Sequence, residues 1–415
     1  MTIASASASA HAVVSPATRR SILLLSFATF SSMAAQRICD AMLPELSRTF
    51  SVSLAQAAQV VSVFAVVYGL SQLIYGPLGD RLGKFGVVTS ATLACSVGSL
   101  VAVFAGSLNM LVLARVMVAL GAAAIIPLSM AWIGDEVAYE QRQETLARVG
   151  LGTTLGIVGG QLFGGVITDT LGWRWAFGLM TLLFGVVGAL LYADWRRQSA
   201  RRVQPTSASP EKRPGFVSQA LILITGRWTR IVLLTAFIEG AAGFGVLAIW
   251  ASHLNQQLGL SLSAAGAIVA LFGLGGMLYM VVARQLIRRL GEGGLTLVGG
   301  CVLGLCALVF GLNPHWALTL PASLIAGFGF FMFHNTMQTN ATQMAPNARG
   351  TGVSMFALAL FMGQSVGVLL AAWLLAHVAS GTVIAVGGGV MAALGAFFAQ
   401  ALRRRDVLLG QQAAR

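Results

Sequence analysis

Glu239 stands in an apolar run beside Gly240-Ala-Ala-Gly243, with no basic residue within reach along its own segment. Such a setting favours the neutral form of a carboxyl, and a carboxyl that can be neutral or charged is what a proton carrier requires. Arg37 and Asp40 lie three residues apart in another apolar run, which places them on one face of a helix. They read either as an internal ion pair or as a second proton or solute site. His334-Asn335-Thr-Met-Gln338-Thr-Asn340 adds a third polar group, with His334 and Gln338 one turn apart, and Arg115 adds an isolated guanidinium. These groups can hold a proton or hydrogen-bond a solute. Nothing points to bond-making chemistry: HExxH and the Walker A pattern are absent, so no enzyme activity, ATP use or cofactor is expected. Cys39, Cys95, Cys301 and Cys306 form no CxxC and lack His or acidic neighbours, so no metal site is expected and all four read as small core hydrophobes.

The elements that must hold these groups follow from composition. Of 415 residues, 57% are hydrophobic and 9% are charged, against roughly 25% charged in soluble domains. Soluble multidomain, disordered and collagen-like chains are excluded, and a polytopic membrane protein remains. Apolar runs near 22–46, 54–75, 87–106, 109–133, 146–168, 174–193, 229–252, 264–284, 294–312, 316–343, 351–376 and 381–402 each approach the roughly 20 residues needed to span a bilayer. None alternates as a barrel strand would. The expected fold is therefore all-α, with twelve transmembrane helices. At a charge cost of ~2.5–3.5 kcal/mol or more in mid-bilayer, each buried ion needs a reason.

Residues 1–18 are rich in Ala, Ser and Thr and are expected to be a disordered tail. Arg19-Arg20 before the run from Ile22 resembles a signal peptide, but the apolar pattern continues to Leu46, which favours an uncleaved helix. Residues 194–228 read as a solvated linker between six-helix bundles at 19–193 and 229–402, and 403–415 as a terminal tail. With both termini cytoplasmic, 22 of the 26 Lys and Arg fall inside, which accounts for the net charge of +13 without a nucleic-acid partner.

The second half repeats the first. At a shift of 208, Ser53, Leu54, Ala57, Val61 and Phe64 fall on Ser261, Leu262, Ala265, Val269 and Phe272, and Arg81-Leu82-Gly83 on Arg289-Leu290-Gly291. At a shift of 207, Arg142, Leu151, Gly156 and Gly160 fall on Arg349, Leu358, Gly363 and Gly367. Two parallel six-helix repeats around a central site are a transporter architecture.

After the second run the chain reads Gly76-Pro-Leu-Gly-Asp80-Arg81-Leu-Gly83-Lys84. This resembles the loop 2–3 signature of the major facilitator superfamily, with Phe85 where a second basic residue is usual. Arg115 followed by Gly121 resembles the family's fourth-helix arginine motif, with Ala119 where Gly is common. Gly156, Gly160, Gly164 and Gly165 resemble the fifth-helix signature of its antiporter subgroups, with Ala147 in place of the first Gly and Gln161 in place of the usual Pro, and Gly172-Trp-Arg-Trp-Ala-Phe177 resembles the sixth helix of drug:proton antiporters. The likeness covers about residues 20–402 and is strongest to the arabinose-efflux-permease and drug-efflux group.

The resemblance implies a secondary transporter working by alternating access. The expected activity is proton-coupled efflux of small organic molecules, with import of a nutrient anion as the alternative. The expected setting is a bacterial-type inner membrane, and the expected form a monomer whose partners are substrate, protons and lipid. It also implies that the first, fourth, seventh and tenth helices line the cavity, so that Glu239 and Asp40 are proton-coupling candidates. Arg37, Arg115, His334, Asn335 and Gln338 are then substrate-cavity candidates, with Phe244, Trp250 and Trp132 as weaker aromatic additions. Asp80 is expected to meet the start of the eleventh helix near Gly350, with Gly76 and Gly83 permitting close approach.

Overall fold

A computed structural model describes residues 15–201, 216–312, 315–345 and 348–413. Among these residues all regular structure is helical. The chain runs through α1 (Pro16–Arg37), α2 (Leu43–Phe50), α3 (Leu54–Ala57), α4 (Gln59–Leu82), α5 (Lys84–Val103), α6 (Leu108–Glu136), α7 (Tyr139–Thr170) and α8 (Trp173–Arg201). It continues through α9 (Phe216–Thr225), α10 (Arg227–Glu239), a π-helical segment (Gly240–Gly245), α11 (Trp250–Leu258), α12 (Leu262–Leu312), α13 (Trp316–Gln343), α14 (Arg349–Leu374) and α15 (Ser380–Ala413).

Ten helical spans among the described residues are long and apolar enough to cross a bilayer. The expected twelve is reached by adding α1 and dividing α12. The polar side chains of α1 include Ser21, Thr29, Ser31, Ser32, Gln36 and Arg37, all of which are buried, so its polarity is hidden inside the protein. The 51 residues of α12 would extend ~77 Å if straight, more than twice the bilayer's apolar thickness. Gly291 breaks it, with φ 63 and ψ 179. Gly83, its counterpart in the first repeat, also has positive φ, at 87. Both loops thus turn on a residue without a Cβ.

Several expected boundaries move. The first helix does not run unbroken to Leu46: it stops at Arg37 and restarts at Leu43. Pro44 lacks an N–H and its ring would clash with the carbonyl of Asp40, four residues back. Helix replaces expected tail or linker at Pro16–Thr18, from Asp194 to Arg201, throughout α9, and from Arg403 to Ala413. The rest of the expected N-terminal tail (1–14), the middle of the linker (202–215) and residues 414–415 lie outside the described residues. Cys39, Cys95 and Cys306 are buried, but Cys301 is exposed on α12 rather than in the core.

Glycine sets the closest packing. Gly152, Gly156, Gly160 and Gly164 of α7 lie one turn apart against the carbonyls of Ser26, Phe30, Ala34 and Ile38, so near that a Cβ would collide with each. Gly363 and Gly367 of α14 meet the carbonyls of Phe237 and Ala241 in the same way. Small residues at this spacing let helix backbones touch, which is how membrane helices associate without a hydrophobic drive. Two seams join the helices before the linker to those after it. One is α7 on α12, through Gly165 against Leu262 and Gly266 against the carbonyl of Gln161. The other is α4 on α14, through Ser62 and Ser365 (2.8 Å) and the Tyr68–Phe361 ring pair (4.5 Å).

These seam contacts run from the ends of the helices away from the arginine-rich loops to mid-helix at Tyr68 and Phe361. At those ends Asp169 on α7 also accepts from the Ser263 hydroxyl at 2.7 Å. At the arginine-rich end, Asp80 does not meet the start of α14. Its side chain is 70% exposed and pairs with Lys84 at 3.4 Å, while Lys84 also holds Asp135 at 2.5 Å. The space around Gly350, and around Gly76 and Gly83, is open to 4 Å. Asp80 is held instead within its own loop, by Lys84 four residues on.

Candidate functional site

Two buried polar clusters meet inside the helical bundle. In the first, Arg37 Nη1 donates to Asp40 Oδ2 at 3.3 Å, with both side chains 1% exposed. The Gln161 amide of α7 donates to the same carboxyl oxygen at 2.8 Å. Gln161 occupies the position expected to hold Pro. As Gln it ties the pair on α1 to α7, and its own carbonyl lies against Gly266 at the seam. Arg115 of α6 donates to the carbonyl of Ala35 at 2.7 Å and of Val60 at 3.1 Å, and its guanidinium lies 4.1 Å over the Phe64 ring. It clamps α1 to the start of α4.

In the second cluster Glu239, fully buried, has its Oε1 2.6 Å from His334 Nδ1. This distance lets one proton serve both groups. The pair joins α10 to α13, so the hydrogen-bond partner of Glu239 comes from another helix. Aromatic rings enclose it: Phe330 stacks on His334 at 5.5 Å, and Phe244, Phe331 and Phe356 lie within 6.0–6.2 Å. Such walls exclude water and strengthen electrostatic contacts inside them. Glu239 is also the last residue before the π-helical segment, a geometry that is rare and recurs at functional sites.

Phe244 joins the clusters, with the Arg37 guanidinium 4.4 Å over its ring. A second bridge runs from Gln36 Nε2 to Gln364 Oε1 at 3.3 Å, between α1 and α14. Several buried atoms here have no hydrogen-bond partner among the described residues: Arg37 Nε, Asp40 Oδ1, Arg115 Nη2, Gln161 Oε1, Glu239 Oε2 and Gln364 Nε2. Both donors and acceptors are represented, as at a site that takes a polar solute or ordered water.

The remaining candidates stand apart. Asn335 is half-buried and Gln338 exposed, one turn from His334 toward the arginine-rich end. Asn340 is part of a different network, donating to Glu292 and accepting from Arg405 at 3.0 Å each. Trp132 packs on Phe85 and Trp250 on Phe310, away from both clusters. Sequence reasoning passed over Gln36, Gln364 and Phe330. The two glutamines carried the same signal as His334, a polar side chain in an apolar run.

The profile of the Major Facilitator Superfamily matches residues 25–368. Among curated proteins the chain is 26% identical over 340 residues to the "Uncharacterized MFS-type transporter YceJ" of Bacillus subtilis (strain 168), covering 80% of this chain and 83% of that one. It is also 26% identical over 388 residues to the "Multidrug resistance protein B homolog" of Mycobacterium tuberculosis (strain ATCC 25618 / H37Rv), covering 80% of this chain and 72% of the other. Among solved structures it resembles a bacterial homolog of the human lysosomal transporter Spinster in an inward-facing, unoccupied conformation. There the TM-score is 0.68 at 19% identity, over 93% of this chain and 96% of that one.

Proposed function

Because the chain belongs to the major facilitator superfamily, a family of multi-pass membrane transporters, we propose that it exports small organic molecules in exchange for protons, with the Glu239–His334 pair as the proton site. It is a transporter and not an enzyme, it sits in a lipid bilayer, and it carries a small-molecule substrate. The observation that carries the finer reading is the 2.6 Å contact between Glu239 and His334 inside an aromatic shell. A carboxyl and an imidazole so placed can exchange a proton with a passing solute while Phe330 and Phe244 keep bulk water out.

The conformer supports alternating access. The two six-helix bundles, 19–193 and 229–402, touch along seams that run from the end away from the arginine-rich loops to mid-helix. With those loops and both termini in the cytoplasm of a bacterial-type inner membrane, this is the state closed on the outer side. The bundles lean on each other within a single chain, and we read the working unit as a monomer. One proton falling through 100 mV supplies ~2.3 kcal/mol, enough for roughly 50-fold accumulation at one-to-one coupling.

A second reading, import of a nutrient anion, draws on the buried Arg37 Nε and Arg115 Nη2, which have no partner among the described residues. Everted membrane vesicles energised to an acidic interior separate the two. The panel is ethidium, tetraphenylphosphonium, a neutral pentose and an organic anion. Under the export reading at least one compound accumulates, a protonophore abolishes this, and Glu239→Gln loses accumulation while keeping gradient-free exchange. Undiminished accumulation in Glu239→Gln moves the proton site to Asp40. Normal accumulation in Asp40→Asn as well ends proton coupling through these helices.

A further inference from the structure

We infer that Phe244 is the positioning residue that conveys the protonation state of the Glu239–His334 pair to Arg37, and through it to the outer seam. The inference rests on the reading of that pair as the proton site. Phe244 is 8% exposed, and its ring faces both clusters. The Arg37 guanidinium lies 4.4 Å over the ring, and Phe330 at 4.6 Å and the His334 ring at 6.0 Å also pack on it. Glu239 and Phe244 are five residues apart, the hydrogen-bonding interval of the π geometry that separates them.

The chain of contacts continues without a gap. Arg37 holds Asp40 at 3.3 Å, Gln161 holds Asp40 at 2.8 Å, and the carbonyl of Gln161 abuts Gly266 at the seam between α7 and α12. Close packing means that the Phe244 ring cannot shift while its neighbours stay still. Proton uptake at Glu239 or His334 changes the hydrogen bond between them and the charge beside the ring. An aromatic face attracts a guanidinium electrostatically, so a change of charge next to the ring alters the hold on Arg37. The other titratable group on this route is Asp40, held by Arg37 at 3.3 Å, and its titration is read apart from that of the pair in Asp40→Asn. Of the elements packed on α10 and the π segment, α13 presents His334 alone, α14 carries only Arg349 at its start, α15 carries charge only at Arg403–Asp406, and α9 carries none.

Spatial continuity alone does not establish coupling, so the test reads both ends of the chain at once and needs no substrate. Full-length protein with Cys301→Ser, spin-labelled at Leu82→Cys on α4 and Val353→Cys on α14, is placed in lipid nanodiscs. The label distance is followed from about pH 5 to about pH 8, alongside the infrared carbonyl band of protonated Glu239, assigned as the band lost in Glu239→Gln. In the parent protein the open-to-closed ratio should differ about fivefold or more between the pH limits and follow the carboxyl band. In Phe244→Leu, which keeps apolar bulk but removes the ring, the band should still titrate while the ratio stays flat. Phe244→Tyr, which keeps the ring, should restore the response, and Phe244→Met is the alternative ringless variant should Leu not fold. A parent-like distance response in the ringless variants overturns the role of Phe244. A parent-like response in Glu239→Gln overturns the proton-site reading instead, so the two failures are distinct.

Discussion

Arg37 and Phe244 stand at equivalent positions of the two repeats, 207 residues apart, and they touch, guanidinium over ring at 4.4 Å. The equivalence follows from packing as well as sequence. Gly160 lies against Ala34 and Gly367 against Ala241, each pair related by the same offset. The duplication therefore places this pair of equivalent residues in contact. Here the pair has diverged into a cation and the aromatic face that receives it.

The seam between α4 and α14 must open if the outer side is to be exposed. Ser62 and Ser365 share a hydrogen bond at 2.8 Å. With Cys301→Ser as background, oxidation of the double variant Ser62→Cys/Ser365→Cys should form a disulfide, stop transport in vesicles, and be reversed by reductant. Unchanged transport by the oxidised, cross-linked protein would mean that this seam does not part during the cycle.

Asp80 contributes little to the conformer described. Its side chain is 70% exposed and its partner Lys84 has Asp135 as well, and an exposed pair of this kind is worth about 0–1 kcal/mol. Asp80→Asn should therefore leave the melting temperature in detergent nearly unchanged. If Asp80 reaches the amino end of α14 when the inner side closes, loss of that charge–dipole contact removes ~0.3–2 kcal/mol from one state only. Transport should then slow by about two- to thirtyfold. A parent-like turnover rate would remove the loop from the gating machinery.

Glycine positions should separate sharply by their surroundings. A Cβ at Gly363 would collide with the carbonyl of Phe237, whereas one at Gly76 would meet nothing within 4 Å. Gly363→Ala should lower stability by about 1–3 kcal/mol, the range for overpacking, visible as a lower melting temperature. Gly76→Ala should be neutral or stabilising by up to about 1 kcal/mol, since Ala is the better helix former. Equal effects at the two sites would contradict the close crossing of α10 and α14.

The membrane class, the helical fold, the duplication and the family were legible because they depend on composition, run length and fixed offsets. The break after Arg37 was signalled by Pro44 but masked by the continuing apolar run. The separate charges were legible too, each as an ion where ions are costly. Their pairing was not: Glu239 and His334 are 95 residues apart, and no spacing in sequence relates one helix of a bundle to another. Gln161 read only as a replacement for the usual Pro of the fifth-helix signature, because only the fold brings it to Asp40. The place of Asp80 was misjudged because a sequence carries expectations for every state of a moving protein, while a structure presents one.

The row of glycines on α7 fixes how motion travels. Four successive turns of α7 lie backbone to backbone on α1 and the residue after it, so close that one cannot tilt without the other, like a single beam. Gly165, close against Leu262, is where that beam meets the other repeat. From there to Tyr139 the beam extends ~39 Å, so a tilt of about 10° sweeps its far end through about 7 Å. Under the proposed alternating access, a pivot at Gly165 would turn a small tilt there into an opening at the opposite end, wide enough to admit or release a small molecule.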